Sequence, residues 1–331
     1  MAKPKVKAEV VEWSKPEDAF RKLAASQAPQ WPNYLGFYSS WLGGFFKEPW
    51  AMVIPMDDHG FHRGDGVFEA VRLHTGAYFD LQAHLKRLKN SASAIGMELP
   101  KTLPEIAQIC VDLAKLCAAE SGILRLYVTR GPGSFSPSPR EVTGHQIYAA
   151  ITKLTPPPAD KYSKGVTAMF STVEAKDPFW SQIKSCNYLQ NVLMKRECLE
   201  RGVDFAICLD PKGRLCEGST ENLMLLTAQG DLRVPKFDYT LRGTTVSLVL
   251  KLAEKLVAEG KIKSATVADL TRQDLIEARE AAFVGTTLGV LPIREADGTP
   301  IGGGKPGSVC EFLQGALMHE MSTSKDLRTQ F

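Results

Sequence analysis

The 331-residue sequence predicts an α+β fold in two domains. Helical and strand-like periodicities interleave along the chain, the mark of mixed elements packed in layers. Three consecutive prolines, Pro156, Pro157 and Pro158, stand near the midpoint and mark a stiff connection. The length fits two domains. The division expected is an N-terminal extension over 1–33, a small α/β domain over 34–155 and a larger domain over 156–331.

In the extension, Ser14 or Glu17 starts a short helix running to Lys22, and Pro29 and Pro32 stop it. Lys3, Lys5 and Lys7 decorate a solvated tail. A dense aromatic patch follows, from Trp31 through Tyr34, Phe37, Tyr38, Trp41, Phe45 and Phe46 to Trp50, as expected of core or a subunit interface. Residues 51–55 and 67–73 read as strands, with Gly76 in the turn to Tyr78, Phe79 and Asp80. Amphipathic helices are expected over 81–95 and 103–119, then strands over 124–130 and 146–152. Beyond the prolines, strands are expected over 166–171, 205–209, 222–227 and 281–284. Helices are expected over 189–201, 244–259 and 270–278. The sequence contains no internal repeat.

Composition narrows the function. Hydrophobic residues make up 44% and charged residues 23%, as in ordinary globular proteins. The net charge of +3, with no dense Lys/Arg stripe, argues against a nucleic-acid partner. Seven cysteines, an odd count without a CxxC pair, point to reduced thiols and a reducing compartment. Cys186 is either a reactive thiol or a small packing residue. The first ten residues mix charged and small side chains, unlike a secretory leader, and no apolar run approaches the ~18 residues of a membrane span. A cytoplasmic protein without a membrane partner is expected. The six histidines are scattered with no HExxH pattern, so no metal is expected. Gly302-Gly303-Gly304-Lys305 lacks the spacing and following helix of a phosphate-binding P-loop.

The chemistry concentrates between Ile183 and Asn222. Lys184 has Phe179, Trp180, Ile183 and Tyr188 as neighbours. A lysine desolvated among them favours the neutral amine that attacks carbonyls. Alternatively its stem simply covers apolar surface beside a helix. Glu217 follows 33 positions later at a strand end. An amine to bond an aldehyde and a carboxylate to hold a pyridine nitrogen protonated are what pyridoxal 5'-phosphate requires. Its phosphate needs helix-start amides and a cation. Leu241-Arg242-Gly243-Thr244-Thr245 opens a helix and is either such a cradle or an ordinary N-cap. Arg87, on the first long helix, is either the cation or a solvated side chain.

The order Lys184, Asn187-Tyr188-Leu189, a helix, Glu217-Gly218-Ser219 and then Asn222 resembles the catalytic block of the class IV aminotransferases, the fold-type IV pyridoxal phosphate enzymes. The resemblance runs from about Tyr38 to about Gly307. It implies a small α/β domain, a larger pseudobarrel domain and the cofactor in the crevice between them. Lys184 is then the catalytic lysine and Glu217 the partner of the pyridine nitrogen, with Glu221 a competitor that fits the turn better than the pyridine contact. Tyr188 faces the cofactor's phenolic oxygen, Leu241 packs on its ring, and Asn222 orients the turn. Arg87, Gly243, Thr244, Thr245 and Thr286 hold phosphate. Thr287 begins a backbone turn facing the substrate carboxylate. Asp57-Asp58-His59 through Val67-Phe68-Glu69 resembles the family's N-terminal signature in its plant-type D-amino-acid transaminase form, which makes Phe68 a substrate contact. Arg63 either binds a carboxylate or pairs with Asp58 or Asp65. Arg125 is expected to face away from Leu124 and Leu126 and is the other carboxylate candidate. Thr129-Arg130-Gly131 resembles the D-transaminase and lyase branch, although Ser134-Phe135-Ser136 lacks the histidine of the bacterial D-transaminase loop. The function implied is amino transfer between an amino acid, expected to be a small D-amino acid, and a 2-oxo acid, in a homodimer whose sites are completed across the interface. A branched-chain L-amino-acid aminotransferase, an aminodeoxychorismate lyase and an inactive structural dimer are the alternatives.

Overall fold

The structure, a computed structural model, describes residues 15–331. Ser14, the lysines of the tail and the first ten residues lie outside the described residues. In chain order the strands are Tyr34–Ser39 (β1), Gly44–Phe46 (β2), Gly66–His74 (β3), Ala77–Phe79 (β4), Gly122–Thr129 (β5), Gln146–Thr152 (β6), Val166–Phe170 (β7), Phe205–Ile207 (β8), Asn222–Leu226 (β9), Asp231–Pro235 (β10), Ser264–Ala268 (β11), Glu280–Gly285 (β12), Gly289–Ala296 (β13), Thr299–Pro300 (β14) and Arg328–Gln330 (β15).

Two sheets organise them. The first runs β15-β4-β3-β5-β6-β1-β2, with every neighbouring pair antiparallel. The second runs β11-β10-β9-β12-β13-β7-β8, with parallel pairs at β10/β11, β13/β7 and β7/β8. The last strand, β15, returns to pair with β4 in the first sheet.

Helices Leu81–Ala94 and Leu103–Cys117 cover one face of the first sheet. Leu81, Leu85, Leu88 and Ala92 recur at helical spacing and are fully buried against Val67, Val71 and Leu73 of β3. Thr102 and Glu105 form a capping box that starts the second of these helices. The second sheet is covered in the same way by Thr244–Ala258 and Ser308–Thr323, through Val246, Val249, Leu313 and Leu317. Among the described residues no helix is long and apolar enough to cross a membrane.

The expected helix over 189–201 forms as Leu189–Arg201. The extension's helix is Pro16–Ala25, longer than the reading that ended it at Lys22. Residues 51–55 are not a strand. Pro49 opens a 3-10 turn through Ala51, and a Val53 amide bonded back to the Ala51 carbonyl at 2.8 Å leaves no extended run before Pro55. The aromatic patch, expected as core or interface, contains β1 and β2. Phe37 is buried there, whereas Trp41 and Phe45 stand exposed.

Candidate active site

β3 sets the site through its alternation. Val67, Glu69 and Val71 face the helices, while Phe68 and Ala70 face a cavity of about 450 Å³. The lysine segment lies along the start of this strand. Val67 and Ser185 form a bridge, the Lys184 carbonyl accepts from the Phe68 amide at 2.9 Å, and the Cys186 amide donates to the Gly66 carbonyl at 2.9 Å. The Lys184 amide donates to Ser91 Oγ at 3.1 Å. With its backbone so fixed, the lysine projects into the cavity, Nζ 4.6 Å from the Phe68 ring centroid and 5.9 Å from that of Tyr188. Burial, and then the Arg87 guanidinium, pull its ammonium down to about 8. At pH 7 roughly a tenth of Lys184 is therefore free amine, far more than for an ordinary lysine.

Glu217 enters from the other sheet. It is bridged to Asn222 at the start of β9. Its Oε2 accepts from the Leu241 amide at 3.1 Å and from Asn222 Nδ2 at 3.3 Å, and Asn222 Nδ2 also donates to the Leu241 carbonyl at 2.9 Å. Neither bond uses Oε1, which leaves it for a ligand. Burial raises the carboxyl to about 8. A protonated ring nitrogen held against Oε1 would favour the carboxylate form. Glu221 also lines the cavity, but its carboxylate is bonded to the Thr220 amide and hydroxyl. Tyr188 stands in the cavity wall with its ring edge against Phe68. Burial, then Glu217, push its phenol well above the ordinary range, so it remains a hydrogen-bond donor.

The phosphate end is built from three elements. The helix Thr244–Ala258 points its first turn, with unpaired amides, at the cavity, where Thr244, Thr245 and Thr286 gather. Gly243 has to be glycine, since a Cβ there would collide with Asn222 Oδ1. No side chain caps this helix, which disfavours the N-cap alternative; Thr244 Oγ1 lies 3.2 Å from His84 Nε2. Arg87 lines the same end. Its Nε and Nη2 each donate to Glu69 at 2.7 Å, and Nη1 donates to the Arg242 carbonyl at 3.3 Å. Glu69 is fully buried, bonds His84 Nδ1 at 2.7 Å as well, and is held down to about 2, chiefly by Arg87 against the opposing cost of burial. Sequence reading missed Glu69 and His84 as the supports of Arg87. The three-residue offset between His84 and Arg87 was the available signal, because it puts both on one helix face.

These groups fit pyridoxal 5'-phosphate. An amine, a carboxylate with one free oxygen, a phenol donor and an anion cradle with a cation converge on one cavity. Phe68, Arg125 and Thr287 also line it, as does Tyr127, which sequence reading did not single out and which stacks on Phe68 at 5.5 Å between centroids. Arg125 is exposed between buried Leu124 and Leu126. Arg63 does not reach the cavity of its own chain. It is exposed and donates to the carbonyls of His62 and Phe135. Its expected ion pairs do not form either. Asp65 takes Arg130 at 2.6 and 3.0 Å, and buried Asp58 accepts from Thr129, Tyr148 and the Gly60 amide. Burial pushes the Cys186 thiol up to about 12, which favours the packing reading over the reactive one. Among the described residues no group of three or more His, Cys, Asp and Glu could hold a metal ion.

The family model Amino-transferase class IV matches residues 66–296. The chain is 33% identical over 294 residues to the chloroplastic D-amino-acid transaminase of Arabidopsis thaliana, covering 87% of this chain and 77% of that protein. It is 30% identical over 292 residues to a putative branched-chain-amino-acid aminotransferase of Methanocaldococcus jannaschii, covering 88% and 96%. Its fold matches the branched-chain amino acid aminotransferase of Escherichia coli at a TM-score of 0.79 and 24% identity over 89% of this chain and 98% of that one.

Proposed function

Because the chain belongs to the class IV aminotransferases, enzymes that carry pyridoxal 5'-phosphate, we propose that it is a D-amino-acid transaminase taking a small D-amino acid as donor and 2-oxoglutarate as acceptor. The convergence of Lys184, Glu217, Arg87 and the threonine cradle on one cavity is the observation that carries the transaminase reading. Bound there, pyridoxal 5'-phosphate supplies an aldehyde to take up the amino group and a ring to accept the electrons left when the Cα proton departs. The residues do the rest. Arg87 Nη1 and the helix-start amides anchor phosphate. Glu217 keeps the ring nitrogen protonated, and Tyr188 donates to the phenolic oxygen. The Lys184 amine would carry a proton between Cα and C4′ as general base and then acid.

The D-amino-acid branch is supported by the Asp57-Asp58-His59 to Arg63-Gly64 signature and by similarity to the Arabidopsis enzyme. Arg125 supplies one cation for a dicarboxylate acceptor. Arg63, exposed on the rim, supplies the other to the site of a second copy in a homodimer. The apolar hollow of about 400 Å³ beside it, bordered by exposed Ile54 and Phe61, suits such an interface. Seven unpaired cysteines support a reducing compartment such as the cytoplasm. A branched-chain L-amino-acid aminotransferase is the second reading, favoured by the Methanocaldococcus jannaschii relative. The test is a half-reaction screen in which the loaded enzyme is mixed with D-alanine, L-leucine, L-valine or aminodeoxychorismate and its visible absorbance followed. D-alanine should bleach the band. Bleaching by the branched L-amino acids alone would select the second reading, and pyruvate release from aminodeoxychorismate alone would make the protein a lyase.

A further inference from the structure

A second lysine approaches the site from a segment that the phosphate, ring and substrate contacts leave unused. After β7 the chain follows β8, with the Ser171 amide on the Ile207 carbonyl and the Ala175 amide on the Leu209 carbonyl, both at 2.9 Å. Val173 and Ala175 pack on the buried cluster that contains Cys208 and Cys216. Cys208 in turn bonds the Glu217 backbone, its amide donating to the Glu217 carbonyl at 3.0 Å. This course delivers Lys176 to the back of the site. Its Nζ lies 5.1 Å from the centroid of the Tyr188 ring, the ring that Lys184 approaches at 5.9 Å. Although partly buried, Lys176 forms no ion pair with any described carboxylate. Such an ammonium costs desolvation, and the Tyr188 ring is its direct contact.

We propose that Lys176 is a positioning residue for the Lys184–Glu217 pair: an ammonium packed on Tyr188 whose field disfavours the Lys184 ammonium and favours the Glu217 carboxylate. The inference rests on the cofactor chemistry of the family and is independent of whether the donor is a D- or an L-amino acid. The charges in play are few. Lys184 feels Arg87 and Lys176 as repulsive neighbours and Glu69 and Glu217 as attractive ones. Glu217 feels Cys208 on one side and Lys184 and Lys176 on the other. Lys176 itself is drawn down by burial and supported by Glu217 and Cys208. Removing its charge therefore has a fixed sign. The Lys184 ammonium loses a repulsive neighbour and binds its proton more tightly, while the Glu217 carboxylate loses an attractive one and is protonated more readily.

The experiment compares wild type with Lys176→Met, Lys176→Gln and Lys176→Arg. In the cofactor-free protein, competitive acylation read by peptide mass gives the pH at which Lys184 becomes reactive. In the loaded protein, visible absorbance gives the pH midpoint of the lysine-bound cofactor. Both midpoints should move up by about one unit in the Met and Gln variants. The Arg variant, which keeps the charge, should stay at the wild-type value. A purely structural role would lower thermal stability without moving either midpoint. Unmoved midpoints in Met and Gln, or an Arg variant displaced as far as they are, would overturn the proposal. Two neutral variants guard against one of them failing to fold, and neither midpoint depends on which substrate the enzyme prefers.

Discussion

At the scale of single residues, Lys184 and Glu217 were legible because each sits in a short motif whose chemistry needs that residue type. Their supports were not. Glu69 lies 18 positions before Arg87 on another element, and nothing local says that its carboxylate grips Nε and Nη2. Arg63 misled for the converse reason. A charged residue beside two aspartates suggests an ion pair, but Asp65 faces Arg130 and Asp58 is satisfied by hydroxyls and an amide. Glu217→Gln should keep the cofactor bound and cut turnover by orders of magnitude, because an amide cannot hold the ring nitrogen protonated. Activity within about twofold of wild type, well under 1 kcal/mol of barrier, would move the role elsewhere, first to Glu221.

At the scale of elements, the strongly periodic segments were legible and the irregular ones were not. Leu189–Arg201 and Gln146–Thr152 form at the bounds their patterns give. β13 carries Pro292 within its run, which argues against a strand, yet it pairs on both sides with β12 and β7. The helix Ser308–Thr323 contains Gly315, which weakens its local signal, and it is held by burial of Leu313 and Leu317 instead. The junction of β3 with the helix Leu81–Ala94 has a pH consequence. The Glu69 carboxyl is held at about 2 against an ordinary value of 4.5. A depressed carboxyl contributes stability that is complete above pH 4.5 and lost as pH falls toward 2. The loss is on the order of 3 kcal/mol. Denaturant unfolding at pH 7 and pH 3 should show about 2 kcal/mol of this loss in wild type, the remainder following below pH 3. Glu69→Gln should be less stable at pH 7, with a shallower fall in acid and weaker cofactor binding, because Arg87 loses its bidentate partner. An equally steep acid dependence in the variant would place the titrating group elsewhere.

At the scale of the whole molecule, the chain brings a lysine from beside one sheet and a glutamate from the other to a common cavity. That meeting is a product of topology, and only the family resemblance anticipated it. The return of β15 to the first sheet was invisible because Arg328–Gln330 is short and polar-edged, with its pairing partner some 250 positions away. The proposed dimer rests on Arg63, which is exposed and outside the cavity of its own chain. Light scattering should give a dimer. Arg63→Leu should raise the KM for 2-oxoglutarate more than that for pyruvate, which has a single carboxylate. A fully active monomer would remove both expectations. The central claim, that Lys184 is the residue bonded to the cofactor, is tested most directly by borohydride reduction of the loaded enzyme followed by peptide mass mapping. The pyridoxyl mass should fall on Lys184 alone, with Lys176 unlabelled although it flanks the same tyrosine. A label on Lys176 or any other lysine, or none at all in an enzyme that absorbs in the visible, would contradict the account.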